Sequence, residues 1–203
     1  MKNNYTEKEK QIFGGVLRLA KSGVDLSKIK AQQIADSAGV GKATIYDYFS
    51  SKEEIVQGAL LYSISAEAAR FRQAMAVTPD FQRKMMLIYG GIISHTENTG
   101  SVFSLILGTG HSPQPGQLAR TQFGDELKER IQEFISILYD VLAVGYSQGV
   151  LAMDIHNPQH HHYVHMALFG SLSATAQQRC SCTGIDRHNI AANAYTMLTK
   201  ALN

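Results

Sequence analysis

Apolar residues recur at helical spacing along nearly the whole chain, and no stretch alternates long enough to read as a strand. Ile12, Phe13, Val16, Leu17 and Ala20 share one face of a helix over 5–21, which Gly23 ends. Residues 31–52, AQQIADSAGVGKATIYDYFSSK, predict two short helices joined by a tight turn. Ile34, Ala35 and Ala38 form the inner face of the first, Gly39 makes the turn, and Val40 plugs the corner. Ile45 and Phe49, four apart, continue the apolar face on the second. A long helix over about 52–76 carries Ile55, Ala59, Tyr62 and Ala66 as one stripe, and helices near 79–95 and 99–108 come next. The strongest periodicity lies in 117–148, where Leu127, Ile131, Phe134, Leu138, Val141 and Gly145 make a seam that needs a packing partner. Residues 158–180 carry Val164, Leu168 and Leu172 beside the small residues Gly170, Ser171, Ser173 and Ala174. Residues 186–202 carry Ile190, Ala194, Met197, Leu198 and Ala201.

The prolines fit this all-helical reading. Thr78-Pro79-Asp80 reads as a helix cap, a first-turn proline and an acidic first-turn residue, and Asn157-Pro158 repeats the device. Pro113 and Pro115 sit in a predicted loop.

The outward positions of the helix after Gly39 are Lys42, Ala43, Thr44, Tyr46, Asp47 and Tyr48. Small, polar and hydroxyl-bearing aromatic residues suit a helix that enters the DNA major groove. Ile34-Ala35, Ala38-Gly39-Val40, Lys42, Thr44-Ile45-Tyr46, Phe49 and Ser51-Lys52-Glu53-Glu54 together resemble the DNA-binding domain of the TetR family of bacterial transcriptional regulators, over residues 5–60. The resemblance implies an all-α protein, with a three-helix DNA-binding domain over 1–52 and a helical regulatory and dimerisation domain over 53–203. It implies that Lys42, Ala43 and Thr44 face the groove, that Tyr46 and Tyr48 bond phosphates, and that Lys52 sets an ammonium beside the backbone. Lys30 and Gln32 complete that set. Three positions depart from the family pattern. Lys30 and Gly41 stand where capping Ser or Thr is usual, and Asp47 stands where a basic or neutral residue is common. Asp47 is repelled by phosphate unless it accepts from a cytosine amino group.

The resemblance also implies a homodimer on a roughly palindromic operator, paired through the last two long helices. Leu168, Leu172, Ala174, Ile190, Ala194 and Met197 are the expected interface. A small molecule is expected to enter the second domain and release DNA. Tyr89, His95, Phe103, Phe134 and Tyr139 are its expected lining, which offers few charges and so points to an apolar or aromatic ligand.

Charge changes this picture little. The chain of 203 residues carries a net charge of +2, so binding to DNA has to rest on locally placed lysines and helix ends rather than on a broad basic surface. No apolar run reaches the roughly 18–20 residues that span a bilayer, and MKNNYTEKEK lacks the apolar core of a signal peptide. A cytoplasmic location is the expectation, with Cys180 and Cys182 reduced.

Two clusters offer another chemistry. His160, His161, His162 and His165 crowd one predicted helix start, with His161 and His165 on one face. Cys180-x-Cys182 with His188 offers soft ligands or a redox pair. Either makes the chain a metal- or redox-sensing regulator, or a helical metal protein that does not bind DNA; the histidines also read simply as polar first-turn residues, and no metal or other cofactor is assigned. Gly108-x-Gly110…Gly116 lacks the preceding strand and following Lys-Ser/Thr of a phosphate loop. There is no nucleophile elbow and no paired-carboxylate motif, so no enzyme is expected and no catalytic residue is named.

Overall fold

The computed structural model describes residues 5–95, 122–176 and 189–203. Among these residues every regular element is a helix: α1 (Glu7–Lys21), α2 (Ala31–Ala38), α3 (Lys42–Tyr48), α4 (Lys52–Val77), α5 (Phe81–His95), α6 (Gln122–Ser147), α7 (His161–Ala176) and α8 (Ile190–Ala201). The predicted helix over 99–108 and the Pro113/Pro115 loop lie outside the described residues. No helix among the described residues is long and apolar enough to cross a membrane.

The chain divides into two units. The first runs to Glu67 and takes in the start of α6 up to Arg130; the second holds the chain from Ala68 and, after Arg130, the remainder. The division falls inside α4 and α6, whereas the expected domain boundary lies at the start of α4.

In the first unit, Ile12, Phe13, Val16, Ile29, Ile34, Ala35, Ala38, Ile45, Phe49, Ile55 and Ala59 form one core. Phe13 is its centre. It meets Tyr5 edge-on at 4.9 Å, Phe49 at 5.4 Å and Tyr62 at 5.7 Å between ring centroids. Helix α1 starts with a capping box, in which Glu9 N–H donates to the Thr6 hydroxyl and Thr6 N–H to the Glu9 carboxylate. It ends as expected at Gly23, whose φ of +84° lets Gly23 and Val24 N–H close back on Ala20 and Leu19 carbonyls.

In the second unit, α5, α7 and α8 bury Ile88, Tyr89 and Ile92 against Val164, Leu168, Leu172, Ile190, Ala194 and Leu198. The Tyr89 hydroxyl donates to Ser171 Oγ at 3.0 Å, with the Ala194 carbonyl at 3.4 Å. Ser171 in turn donates to the Leu168 carbonyl. Burial pushes the Tyr89 phenol well above its ordinary range, so it stays protonated as a donor. The α6 seam packs as predicted, with Phe134, Leu138 and Val141 buried. Gly145 is required there because a Cβ would stand 2.9 Å from the Phe81 ring.

Two predicted helix starts are corrected. Thr78 does not cap α5, because its hydroxyl donates back to the Ala74 carbonyl and closes α4. Asp80 is the cap instead, its carboxylate accepting from Arg83 N–H at 2.8 Å. The buried Lys84 ammonium also closes α4, donating to the Met75 carbonyl. Asn157 accepts from Gln159 N–H and holds a turn, so α7 begins only at His161.

Candidate nucleic-acid interface

The corner between α2 and α3 is built by glycine and by side chains from α1. Gly39 adopts φ of +67°, and Val40 N–H reaches the Ala35 carbonyl at 3.0 Å while Gly39 N–H reaches Asp36. These bonds stop α2 and turn the chain. The carbonyls left at the end of α2 are taken from α1: Gln11 Nε2 donates to Ala38 at 2.9 Å, and Arg18 donates to Ser37. The Ser37 hydroxyl returns a bond to the Gly15 carbonyl at 2.9 Å. Gly15 lets the two helices approach, since a Cβ there would sit 2.9 Å from the Ala38 backbone nitrogen.

The helix starts lack ordinary caps, as the sequence implies. Lys30 has no acceptor, and α2 is held by the reverse half of a capping box, with Lys30 N–H donating to Gln33 Oε1 at 2.9 Å. Gly41 precedes α3 with no side-chain bond.

Helix α3 buries one side chain, Ile45. Lys42, Ala43, Tyr46, Asp47 and Tyr48 are exposed and Thr44 is half-buried. Tyr46 keeps 52% of its surface and Tyr48 41%, so neither is a core tyrosine. Lys30 and Lys42 are exposed and carry no side-chain partner among the described residues. Gln32 is exposed, its amide donating to Asp36 at 2.7 Å. Lys52 is partnered as well. Its ammonium donates to the Ser27 carbonyl at 3.2 Å and pairs with Glu53 at 3.4 Å, tying the α1–α2 loop to the start of α4. The first turn of α4 is capped by Ser51, whose hydroxyl accepts from Glu54 N–H.

The expected dimer set divides. Leu168, Leu172, Ile190 and Ala194 are sealed inside the protomer's own α5–α7–α8 core and are not free to meet a second copy. Ala174 and Met197 are exposed. Beside them runs a stripe of which the sequence singled out Gly170 and Ala174 but not Tyr163 or Met166. Tyr163 (64% exposed), Met166 (59%), Gly170 and Ala174 follow one another at steps of three and four along α7, and Met197 of α8 lies next to Gly170.

The described residues of the expected effector set differ in burial. Tyr89 and Phe134 are fully buried, Tyr89 in the hydroxyl chain above and Phe134 stacked on Phe71 at 4.9 Å. Tyr139 is half-buried and its hydroxyl lies 3.1 Å from His165 Nδ1. The His95 side chain and Phe103 lie outside the described residues, as do Cys180, Cys182 and His188.

The histidines form a ring column rather than a ligand set. Tyr139 stacks on His161 at 5.6 Å, His161 on His165 at 6.5 Å and His165 on Phe169 at 4.3 Å. His160 Nδ1 lies 3.0 Å from the Asp154 carbonyl. Among the described residues no three His, Cys, Asp or Glu side chains converge to hold a metal ion. Burial, and then the charges of His161 and His162, hold the His165 imidazole below its ordinary pKa.

Residues 25–59 match the sequence profile of the bacterial regulatory proteins of the tetR family. Among curated proteins no sequence matches the chain. Solved structures share the fold over nearly the whole length. A TetR family protein from Vibrio parahaemolyticus is similar with a TM-score of 0.60 at 16% identity, covering 95% of this chain and 97% of that one. A TetR transcription regulator from Haloarcula marismortui reaches 0.59 at 16%, covering 98% and 97%. The transcriptional regulator FadR from Bacillus subtilis, in complex with stearoyl-CoA, reaches 0.55 at 18%, covering 96% and 97%.

Proposed function

We propose, from the match of residues 25–59 to the bacterial regulatory proteins of the tetR family, that this chain is a ligand-responsive repressor that binds a palindromic operator as a homodimer. The observation that carries the reading is α3, which buries Ile45 and turns five further side chains to solvent on a corner clamped by α1. Lys30, Gln32, Lys42, Ala43, Thr44, Tyr46, Tyr48 and Lys52 are the proposed contacts, with Thr44 on a base edge or thymine methyl and the tyrosines on phosphates.

Two copies pair through the exposed α7–α8 face of Tyr163, Met166, Gly170, Ala174 and Met197, which offers small residues flanked by large apolar ones. Such a dimer has to bring its two α3 helices to half-sites one helical turn apart, about 34–36 Å, or a multiple of it.

The effector is a small molecule of apolar or aromatic character. Stearoyl-CoA bound to a protein of the same fold supports testing long-chain acyl thioesters first. Tyr139 is its proposed polar anchor, as the half-buried hydroxyl of the expected set, with Tyr89, His95, Phe103 and Phe134 as the remaining lining. Such a ligand releases DNA only by binding the DNA-incompetent state more tightly.

The test is selection of bound sequences from random duplex DNA by the full-length protein at two salt concentrations. An enriched inverted repeat supports the dimeric regulator. Binding that tracks salt alone, with no sequence enriched, overturns it.

A further inference from the structure

We propose that Asp47 is a base-reading residue that selects cytosine in each operator half-site. The inference rests on the DNA-binding reading above and adds a base preference to it.

Asp47 stands on α3 two residues after Ile45, which is fully buried. At 3.6 residues per turn its side chain leaves the helix about 160° away from that of Ile45. It therefore stands on the crest farthest from the core. Ala43, one turn earlier, shares that crest and contributes only a methyl, leaving the carboxylate room to advance. The carboxylate is exposed and has no hydrogen bond or ion pair among the described residues. The positions three and four away, Thr44, Ala43, Ser50 and Ser51, carry no positive charge to pair with it.

An ionised carboxylate only accepts hydrogen bonds. Phosphates repel it, and so do guanine O6 and N7 and thymine O4 on the groove floor. The donors offered there are the amino groups of cytosine and adenine, and adenine sets the N7 acceptor beside its amino group. Cytosine is the base edge that satisfies Asp47 without opposing it. A bidentate base contact discriminates by roughly 5- to 150-fold, and the single free hydrogen of the cytosine amino group places Asp47 at the low end of that range, from about 5-fold upward.

The experiment compares the full-length wild type with Asp47→Ala and Asp47→Asn in the same random-DNA selection, followed by titration of the recovered operators. The wild-type operator is expected to carry cytosine at one symmetric position in each half-site. Asp47→Ala is expected to flatten preference at that position by at least 5-fold and to leave the other positions unchanged. Asp47→Asn is expected to move the preference toward adenine, which an amide can bond at N6 and N7 together. An unchanged consensus, with every sequence bound more tightly by one common factor, overturns the inference and reduces Asp47 to phosphate repulsion. Enrichment by the variants but not by the wild type overturns it as well. No enrichment by any of the three overturns the DNA-binding reading itself and takes this inference with it.

Discussion

Gly14 and Gly15 are neighbours in α1, and alanine at either removes the same helix penalty of about 1 kcal/mol. They differ in what the added methyl meets. At Gly14 the nearest atom is Arg18 Nη1 at 3.5 Å, an ordinary contact with the tip of a flexible side chain. At Gly15 the methyl would lie 2.9 Å from both the Cβ and the backbone nitrogen of Ala38, and 3.0 Å from its Cα. Backbone cannot step aside there without moving the end of α2, and that end holds the bonds from Gln11, Arg18 and Ser37. Overpacking of this kind costs about 1–3 kcal/mol. Gly14→Ala is therefore expected to stabilise α1 by about 1 kcal/mol. Gly15→Ala is expected to be about 1–3 kcal/mol less stable than Gly14→Ala, because the helix gain cancels between the two. Native-state hydrogen exchange of the full-length protein, read on peptides from α1 and α2, gives the local opening free energy. It does not require the two units to unfold together. Equal protection of α2 in the two variants refutes the steric argument.

Lys52→Ala is expected to weaken DNA binding for all sequences alike and to lower the salt slope by about one, measured by titration across salt concentrations; an unchanged slope assigns Lys52 only to its tie with Ser27. Met197→Glu places a charge on the exposed α7–α8 face and is expected to shift the protein from dimer to monomer in sedimentation at micromolar concentration, while far-ultraviolet dichroism stays unchanged. His165 resists protonation when folded, so the unfolded chain takes up the proton first as pH falls below the ordinary value of 6.5. Stability from this site is full above that value and declines below it through the lower folded pKa. His165→Gln is expected to flatten that part of a melting-temperature curve measured against pH. Tyr139→Phe removes the hydroxyl that meets His165 and is expected to weaken release of DNA by an acyl thioester while leaving operator affinity unchanged in its absence.

The first unit was legible in sequence because its signals are local. Gly23 and Gly39 adopt the left-handed conformation that ends their helices, and Ile34, Ala38, Ile45 and Phe49 face inward as their spacing requires. The clamp from Gln11 and Arg18 onto the end of α2 was not legible, since it depends on how α1 crosses α2 and neither residue stands out by pattern. The last two helices show the opposite limit. Helix α7 is apolar on more than one side, with Val164, Leu168 and Leu172 on one stripe and Tyr163, Met166, Gly170 and Ala174 on another. Periodicity finds both stripes and cannot say which faces inward. Leu168 and Leu172 were read, together with the smaller residues, as part of the seam between copies, whereas they are buried in the protomer's own core. The caps failed for a related reason: Thr78 and Asn157 are good cap residues by type, but their side chains serve the preceding helix and a turn.

That α3 anchors itself through Ile45 alone has an evolutionary consequence. The scaffold's cohesion lies in α1, α2 and α4, so the outward positions of α3 carry almost none of the folding free energy. They are free to drift. On the proposed reading, a protein built this way can exchange its address on the chromosome by rewriting a handful of letters, while its second unit is inherited untouched.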